Sequence, residues 1–440
     1  MAGGALTMTI AEEIPGADRS LWAATAEPGP PTPPLVGEAE AEVAVVGGGY
    51  TGLSTALFLA ERGMSAMVLE AHAPGFGASG RNGGQVIPGL KHDPDEIEAR
   101  FGKERGQRIV AMAGGAADLV FDLVAKHGIG CGAVRTGWIQ AAHDAAGLAV
   151  VRRRAADWTR RDAPVEVLDQ ARIAELTGAH DYLGGLLDRR GGGLHPSSYA
   201  RGLAAAAIRA GSRIHGESRV VQIERQGGGF RLQTDRGALR ARRIVIATNG
   251  YADALHDRLR RSIVPVVSLQ VATRPLSDNL EKTILPEGQV VSDTRRLLLY
   301  FRRDAEGRLL MGGRGAFGAR GVRSRLAELR SAAERLFPQL AGIEWPYRWG
   351  GYVALTADHL PHLHELEPGI VTGLGYNGRG VAMATAMGRQ LAAYASGTNA
   401  AELDFPVSGL EPIPFHALRR PALSAIAAWY GLRARLGLRG

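Results

Sequence analysis

A glycine pattern, Gly47-x-Gly49-x-x-Gly52, does most to narrow what this chain can fold into, because of what flanks it. Residues 41–46 (AEVAVV) read as a β-strand, 47–52 (GGGYTG) as a tight turn, 53–63 (LSTALFLAERG) as a helix closed by Gly63, and 64–70 (MSAMVLE) as a second strand. Each glycine has its own physical task. Gly47 makes the turn, Gly49 lets a pyrophosphate approach the backbone, and Gly52 lets helix and strand pack closely. The helix N-terminus offers unpaired N–H groups and a partial positive charge to phosphate, and Tyr50 and Thr51 in the turn before it are counted among the cofactor-binding residues. Glu70 ends the second strand, where a carboxylate can accept hydrogen bonds from ribose hydroxyls. Strand, turn, helix, strand and acid together predict a dinucleotide-binding βαβ unit, and they leave NAD and FAD open because both contain ADP.

The next stretch, GASGRNGGQV (77–86), has almost nothing to bury. Placed directly behind the ribose-binding acid, it can lay its N–H groups along a pyrophosphate or under a flat flavin ring, a use for glycine's missing side chain. It therefore favours FAD.

A chain of 440 residues suits two domains. The net charge is +8, but the arginines are scattered among acids and the lysines are only Lys91, Lys103, Lys126 and Lys282. Binding a polyanion needs clustered charge, so no nucleic-acid partner is expected. Cys131 is the sole cysteine, which excludes an internal disulfide and any Cys-based metal cluster and makes a reducing cytoplasm the expected compartment. The first ten residues lack a basic start and Glu12, Glu13 and Asp18 follow, so no secretory signal is expected; no apolar run reaches the roughly 18 residues of a membrane span.

Farther along, Asp93 reads as a helix N-cap with Pro94 in the first turn and Glu96 three residues on, followed by a helical stripe of Ile109, Met112, Ala116, Leu119 and Leu123 that ends before Gly128. Residues 196–250 return to nucleotide-domain texture, 262–355 alternate strands with charged loops around one helix at 324–337, and 368–397 read strand, Gly-rich turn, helix. The expected plan is α/β: a Rossmann-like FAD-binding domain (41–92, 186–258 and 356–400) interwoven with an α+β, mixed-sheet substrate domain (93–185 and 259–355). A Pro-rich strap (1–40) precedes it and a basic, amphipathic tail (401–440) follows.

At these residues the chain resembles the FAD-dependent oxidoreductases of the D-amino acid oxidase, glycine oxidase and sarcosine oxidase superfamily, and within it the gamma-glutamylputrescine oxidoreductases. AEVAVVGGGYTGLSTALFLAERG, VLEA and GFGASGRNGGQ carry the likeness; VATRPLSDNL, WGGYVALTADHLPHL and GLGYNGRGVA extend it. The resemblance implies hydride transfer from a C–H beside an amine to flavin N5, with the imine hydrolysing to an aldehyde and ammonia or a smaller amine. It implies that Ala78, Ser79, Arg81, Asn82, Gly83 and Gly84 border the flavin, that the Val220 backbone meets adenine, and that the turn from Ala247 lies near the dinucleotide. In Gly375 to Val381, backbone donors from Asn377, Gly378, Arg379, Gly380 and Val381 and the following helix dipole would stabilise the charge that builds over flavin N1 and C2=O. Relatives often carry His where Arg379 stands.

Three departures from the family pattern shape the expectation. Relatives that attach flavin covalently use a Cys shortly before a Thr-x-Asp segment; Thr356 and Asp358 fit that segment but Gly351 occupies the Cys place, so FAD is expected to be non-covalent. Amino-acid-oxidising relatives place an Arg four residues after the equivalent of Trp349 to pair with the substrate carboxylate, and here Val353 stands there. The lysine that activates oxygen in sarcosine oxidases has no counterpart in RLLMGGRG (308–315), which leaves O2 or another acceptor, a quinone among them, open. The expected substrate is a small or gamma-glutamylated amine; a D-amino acid or glycine/sarcosine-type oxidase is the alternative. The amine must be neutral to donate hydride, so a dry aromatic pocket is needed, and Tyr300, Trp349 and Tyr352 are its candidate catalytic walls. His359, His362 and His364 flank Pro361, which breaks any helix that would align them, and no metal is expected. His195, before Pro196, reads as a turn or a pocket rim.

Overall fold

The Gly37–Val46 strand is the axis of the first of two nine-stranded sheets. Val43 to Val46 are buried on both faces, as the centre of a parallel sheet requires. Ala66–Leu69 lies parallel on one side, with Val68 beside Val45, and Gly237–Ile246 on the other, with Val245 beside Val45 and Val371 of Ile370–Leu374 beyond it. Helices Tyr50–Glu61, Pro196–Arg209 and Gly380–Ala395 bury Leu53, Leu203 and Met387 against Val43, Val45 and Val68 on one face. Phe230 and Leu232, from a hairpin hung on the Gly237–Ile246 strand, cover Ala44 and Val46 on the other. Gly47 has φ +107°, and a Cβ on Gly52 would overlap the Gly47 carbonyl oxygen, so the turn needs glycine at both.

In this computed structural model the described residues are 18–252, 255–316 and 318–418, with the single positions 14 and 429. The second sheet runs, edge to edge, Asp18–Arg19, Tyr347–Leu355, Val264–Pro275, Arg308–Arg314, Leu299–Arg303, Val290–Asp293, Trp138–Ala142, Gly184–Asp188 and Val165–Leu168. Only Val290–Asp293 and Trp138–Ala142 pair in parallel. One face packs Leu269, Phe301 and Met311 onto Leu326, Leu329 and Phe337. The other presents a row in register, Gln140, Ser292, Tyr300, Gly312, Gln270 and Trp349, across six strands.

Several local expectations change. The first strand starts at Gly37 rather than at 41, because its early residues pair with 237–241. The lead-in is more than a strap: Asp18–Arg19 pairs with Trp349 and Arg348, Ser20 caps the Leu21–Thr25 helix, and Trp22 is fully buried against Ala272, Leu310 and Trp349. Asp93 does form a capping box with Glu96, yet the stripe that follows is divided among Pro94–Phe101, Lys103–Gly114 and Ala116–His127, broken at Gly102 (φ +78°) and Gly115. Gly128 ends the last of these in the left-handed conformation. Gly184–Asp188 belongs wholly to the second sheet, and Val407–Ser408 returns to the first. The long helix spans Gly318–Leu336. The first ten residues and the tail after 418, Trp429 apart, lie outside the described residues. Among the described residues no helix is long and apolar enough to cross a membrane.

The Gly52→Ala variant should lose about 1–3 kcal/mol of stability through overpacking, read as a lower urea midpoint at unchanged slope. A wild-type midpoint would show that this helix does not pack on its turn as described.

Candidate active site

The row on the second sheet and the first βαβ unit face each other across a cavity of about 1610 Å³. At one end Glu70 accepts from the Gly48 N–H (2.6 Å) through Oε2 and from the His72 N–H (2.9 Å) through Oε1. Burial pushes its carboxyl up from the ordinary value, and those two N–H groups oppose the shift. Val220, Ala247 and Gly47 line the same end. Gly49 is the N-cap of the Tyr50–Glu61 helix with no side chain to cap it; instead Ser79 Oγ accepts from the Tyr50 N–H at 2.9 Å.

The glycine-rich loop is held from outside and from within. Trp349 Nε1 (3.0 Å) and Gln270 Nε2 (2.6 Å) both donate to the Arg81 carbonyl, and Trp22 Nε1 donates to the Asn82 carbonyl at 2.8 Å. Within the loop Asn82 Nδ2 donates to the carbonyls of Ala78 and Ser79, and its Oδ1 accepts from the Gly84 N–H. Arg81 turns back on its own loop, Nε donating to the Phe76 carbonyl at 2.9 Å. A Cβ on Gly83 would come 2.8 Å from the Tyr300 ring, so loop and floor meet closely.

At the far end Asn377, at φ +51°, accepts from the Thr356 N–H at 3.1 Å and donates to Thr356 Oγ1 at 3.1 Å. Arg379 precedes the Gly380–Ala395 helix, donates to the Pro88 carbonyl (2.5 Å) and stacks over Trp138 at 4.9 Å. Burial pulls its guanidinium down to about 9, which leaves it charged at neutral pH. The cavity is built for a polar, flat, extended guest. Arg379 Nε, Gln270 Oε1 and Tyr352 Oη are buried polar atoms without a partner among the described residues, each on a side chain of the cavity wall, and buried polar groups ordinarily find partners. The residues present therefore fit FAD: Glu70 for the ribose, the Gly49 helix end for the diphosphate, the loop for the ring, and Asn377 to Val381 for the ring's electron-rich edge.

The sequence profile of the FAD dependent oxidoreductases, the DAO group, matches residues 42–394. The chain belongs to this family. Gamma-glutamylputrescine oxidoreductase of Escherichia coli K12 is 34% identical to it over 424 residues, 95% of this chain and 99% of that one. Glycine oxidase of Geobacillus kaustophilus is 26% identical over 357 residues, 79% of this chain and 90% of its own. The crystal structure of that glycine oxidase superposes with a TM-score of 0.68 at 24% identity, covering 82% of this chain and 96% of the other. The L-amino acid deaminase of Proteus myxofaciens reaches 0.70 at 20% identity, covering 90% and 96%.

In this FAD-dependent oxidoreductase the expected site residues divide by position. Tyr50, Thr51, Gly49, Ala78, Ser79, Gly378, Gly380 and Val381 line the cavity with those already placed there. Gly52, Gly84 and Gly375 do not line it; they shape the turns behind it, where a Cβ on Gly375 would overlap the Thr356 side chain. Among the aromatics, Tyr300 stands on the floor with Oη 2.8 Å from Ser268 Oγ, and burial pushes its phenol up to about 12. Tyr352 meets the cavity beside Tyr251, whose hydroxyl accepts from the Tyr352 N–H at 3.2 Å. Trp349 corrects an expectation: fully buried between the loop and Trp22, it is off the cavity wall and acts on the loop carbonyl. His195 is likewise elsewhere, capping the Pro196–Arg209 helix, with burial pulling it down to about 4. Among the described residues no three metal-capable side chains converge; His362 pairs with Asp358 and His364 with the Ser408 carbonyl.

Sequence reasoning passed over Tyr251, Gln270, Trp22, Arg314 and Lys91. Lys91 had a signal, as one of four lysines in an arginine-biased chain. It keeps an open face to the cavity, while desolvation by the surrounding wall and then the guanidiniums of Arg379, Arg154 and Arg314 pull its ammonium down to about 7. Trp22→Phe and Trp349→Phe each keep an aromatic ring and remove one donor from a loop carbonyl. Each should weaken FAD retention by roughly tenfold, the worth of one such bond, with circular dichroism unchanged. Wild-type flavin dissociation constants in both variants would detach these indoles from the cofactor loop.

Proposed function

We propose that this oxidoreductase oxidises an amine at a carbon that bears no carboxylate, with gamma-glutamylputrescine or a related small amine as substrate and O2 as the acceptor. The observation that supports the reading is Val353 on the cavity wall, in phase with Gly351 along the strand: an apolar side chain there offers an α-carboxylate no partner, and by the family resemblance it stands where amino-acid-oxidising relatives carry an arginine. The likeness over nearly the whole length to a gamma-glutamylputrescine oxidoreductase supports the same reading.

FAD, when bound, supplies a two-electron acceptor. What the chain's own residues contribute follows from their places. Tyr300, Tyr251 and Tyr352 give the substrate end aromatic walls, and poorly solvated surroundings favour the neutral amine that oxidation requires. Arg379 and the N-terminal end of the Gly380–Ala395 helix put positive charge where electron density is to accumulate. The amine gives up two electrons and two protons in becoming an imine, which then takes up water and releases an aldehyde and ammonia. Non-covalent attachment is supported by Gly351 on the wall and by Cys131, which is buried away from the cavity.

The purified protein should be yellow and release FAD on acid treatment. Across putrescine, gamma-glutamylputrescine, sarcosine, glycine and D-amino acids, peroxide formation should favour an amine without an adjacent carboxylate by about tenfold or more in kcat/KM. Preference for a D-amino acid or glycine would overturn the Val353 argument, and turnover only with an artificial acceptor would replace O2 by a quinone-type partner.

A further inference from the structure

Of the four lysines, all of them among the described residues, only Lys91 lines the cavity. Lys103, Lys126 and Lys282 are exposed elsewhere, Lys126 in an ion pair with Glu61 at 2.6 Å. Arg154 fixes the place of Lys91 by donating to its carbonyl (2.7 Å) and to Gln140 Oε1 (2.8 Å). Gln140 stands beside Ser292 in the strand row, and Ser292 beside Tyr300. The Lys91 side chain is open to the cavity, and its ammonium has no ion pair or hydrogen bond among the described residues.

Its surroundings disfavour the charged form. Desolvation by the wall acts first, then the guanidiniums of Arg379, Arg154 and Arg314 in that order, and together they pull the group down to about 7. The acids close to it in sequence or on the same wall are committed elsewhere: Asp93 to Arg154 (2.6 Å) and Arg153 (3.2 Å), Glu96 to His92 (3.2 Å), and Asp293 to Arg295. His92 and His359 also line the cavity, His92 donating through Nε2 to the Asp358 carbonyl at 2.8 Å. Glu70 lies at the adenosine end.

A neutral lysine amine attacks carbonyl carbon, and desolvation beside other cations is one way a protein makes one. The reaction proposed above releases an aldehyde into this same cavity. The thiol does not compete for it: Cys131 is buried off the cavity wall, and burial pushes it up to about 11.

Resting on the amine-oxidase reading above, we infer that Lys91 is a carbonyl-capture site that takes an aldehyde as a reversible Schiff base inside the cavity. The Nζ lone pair adds to the carbonyl carbon while one nitrogen proton passes to the carbonyl oxygen, giving a carbinolamine. That hydroxyl leaves with the second nitrogen proton as water, and R–CH=N–Lys91 remains. Nothing is oxidised or reduced, and uptake of water returns the aldehyde and the free amine. An aldehyde held this way occupies the cavity, so the product restrains turnover until hydrolysis frees it.

The test treats the FAD-loaded protein with butanal and sodium cyanoborohydride, which reduces an imine to a stable amine, and locates the label by peptide mass. A lysine in water, near 10.4, is less than about 0.1% neutral at pH 7, so Lys91 should carry at least about tenfold more label than Lys103, Lys126 or Lys282. That excess should shrink toward about pH 10, where a lysine in water is also substantially neutral. Butanal should perturb the flavin absorbance of the wild type but not of Lys91→Arg, which keeps a cation and loses the nucleophile. No more label at Lys91 than at the exposed lysines overturns the capture site, whether or not an amine is oxidised. If Lys91 captures butanal while no amine yields peroxide, the site stands and the amine reading falls.

Discussion

Two carbonyl oxygens, those of Arg81 and Asn82, join the halves of this molecule. A carbonyl enclosed between two sheets must find a donor, and here the donors come from three separate segments: Trp22 in the N-terminal helix, Gln270 and Trp349 on neighbouring strands. The arrangement is possible only in one register, in which Gln270 lies directly opposite Trp349 and both reach the same oxygen. Slipping one of these strands by a single residue would turn its own side chain to the far face and leave the carbonyl with one donor fewer. Because the loop's shape is imposed by its neighbours and by Asn82, its glycines need no side chains to hold it, and the backbone is left bare toward the cavity.

That dependence explains what could be read from the sequence and what could not. The first βαβ unit was legible because each glycine answers a local steric demand, visible in the Gly47 φ and in the overlap a Cβ on Gly52 would cause. The Asp93 capping box was legible for the same reason, since cap and acid lie three residues apart. Trp349 was not. An indole at that position in a strand reads the same whether it faces a ligand or a neighbouring carbonyl, and the choice is made by Trp22, more than three hundred residues earlier in the chain. The break at Gly115 was equally hidden, because Ile109, Met112 and Ala116 keep helical spacing through it.

Electrostatics at the site follow the same division between local and distant causes. Arg379 was visible in the glycine-rich turn, but its surroundings were not: Trp138 under its guanidinium and the Pro88 carbonyl come from other segments. Both fix the group in place without neutralising it. Arg302 is a second buried cation below the loop, donating to the carbonyls of Gly84 (2.7 Å) and Leu194 (3.0 Å), and burial pulls it down to about 10. Among the described residues neither sits in a carboxylate pair, so each carries its charge into a region of low dielectric, where it is little screened.

The cavity is thereby graded along its length. In the proposed placement of FAD, Glu70 would accept from the ribose, the Gly49 helix terminus would face the diphosphate, and Arg379 with the Gly380–Ala395 helix would supply positive charge at the ring's far edge. Under the proposed amine oxidation that charge would also bear on the reacting nitrogen. Nearby positive charge disfavours an ammonium just as desolvation does, so Arg379 would help keep the amine in the neutral form that can be oxidised. In the same proposal Val353 and the tyrosines would set apolar and aromatic surface beside the carbon to be oxidised, so that desolvation and the Arg379 charge act together on the amine.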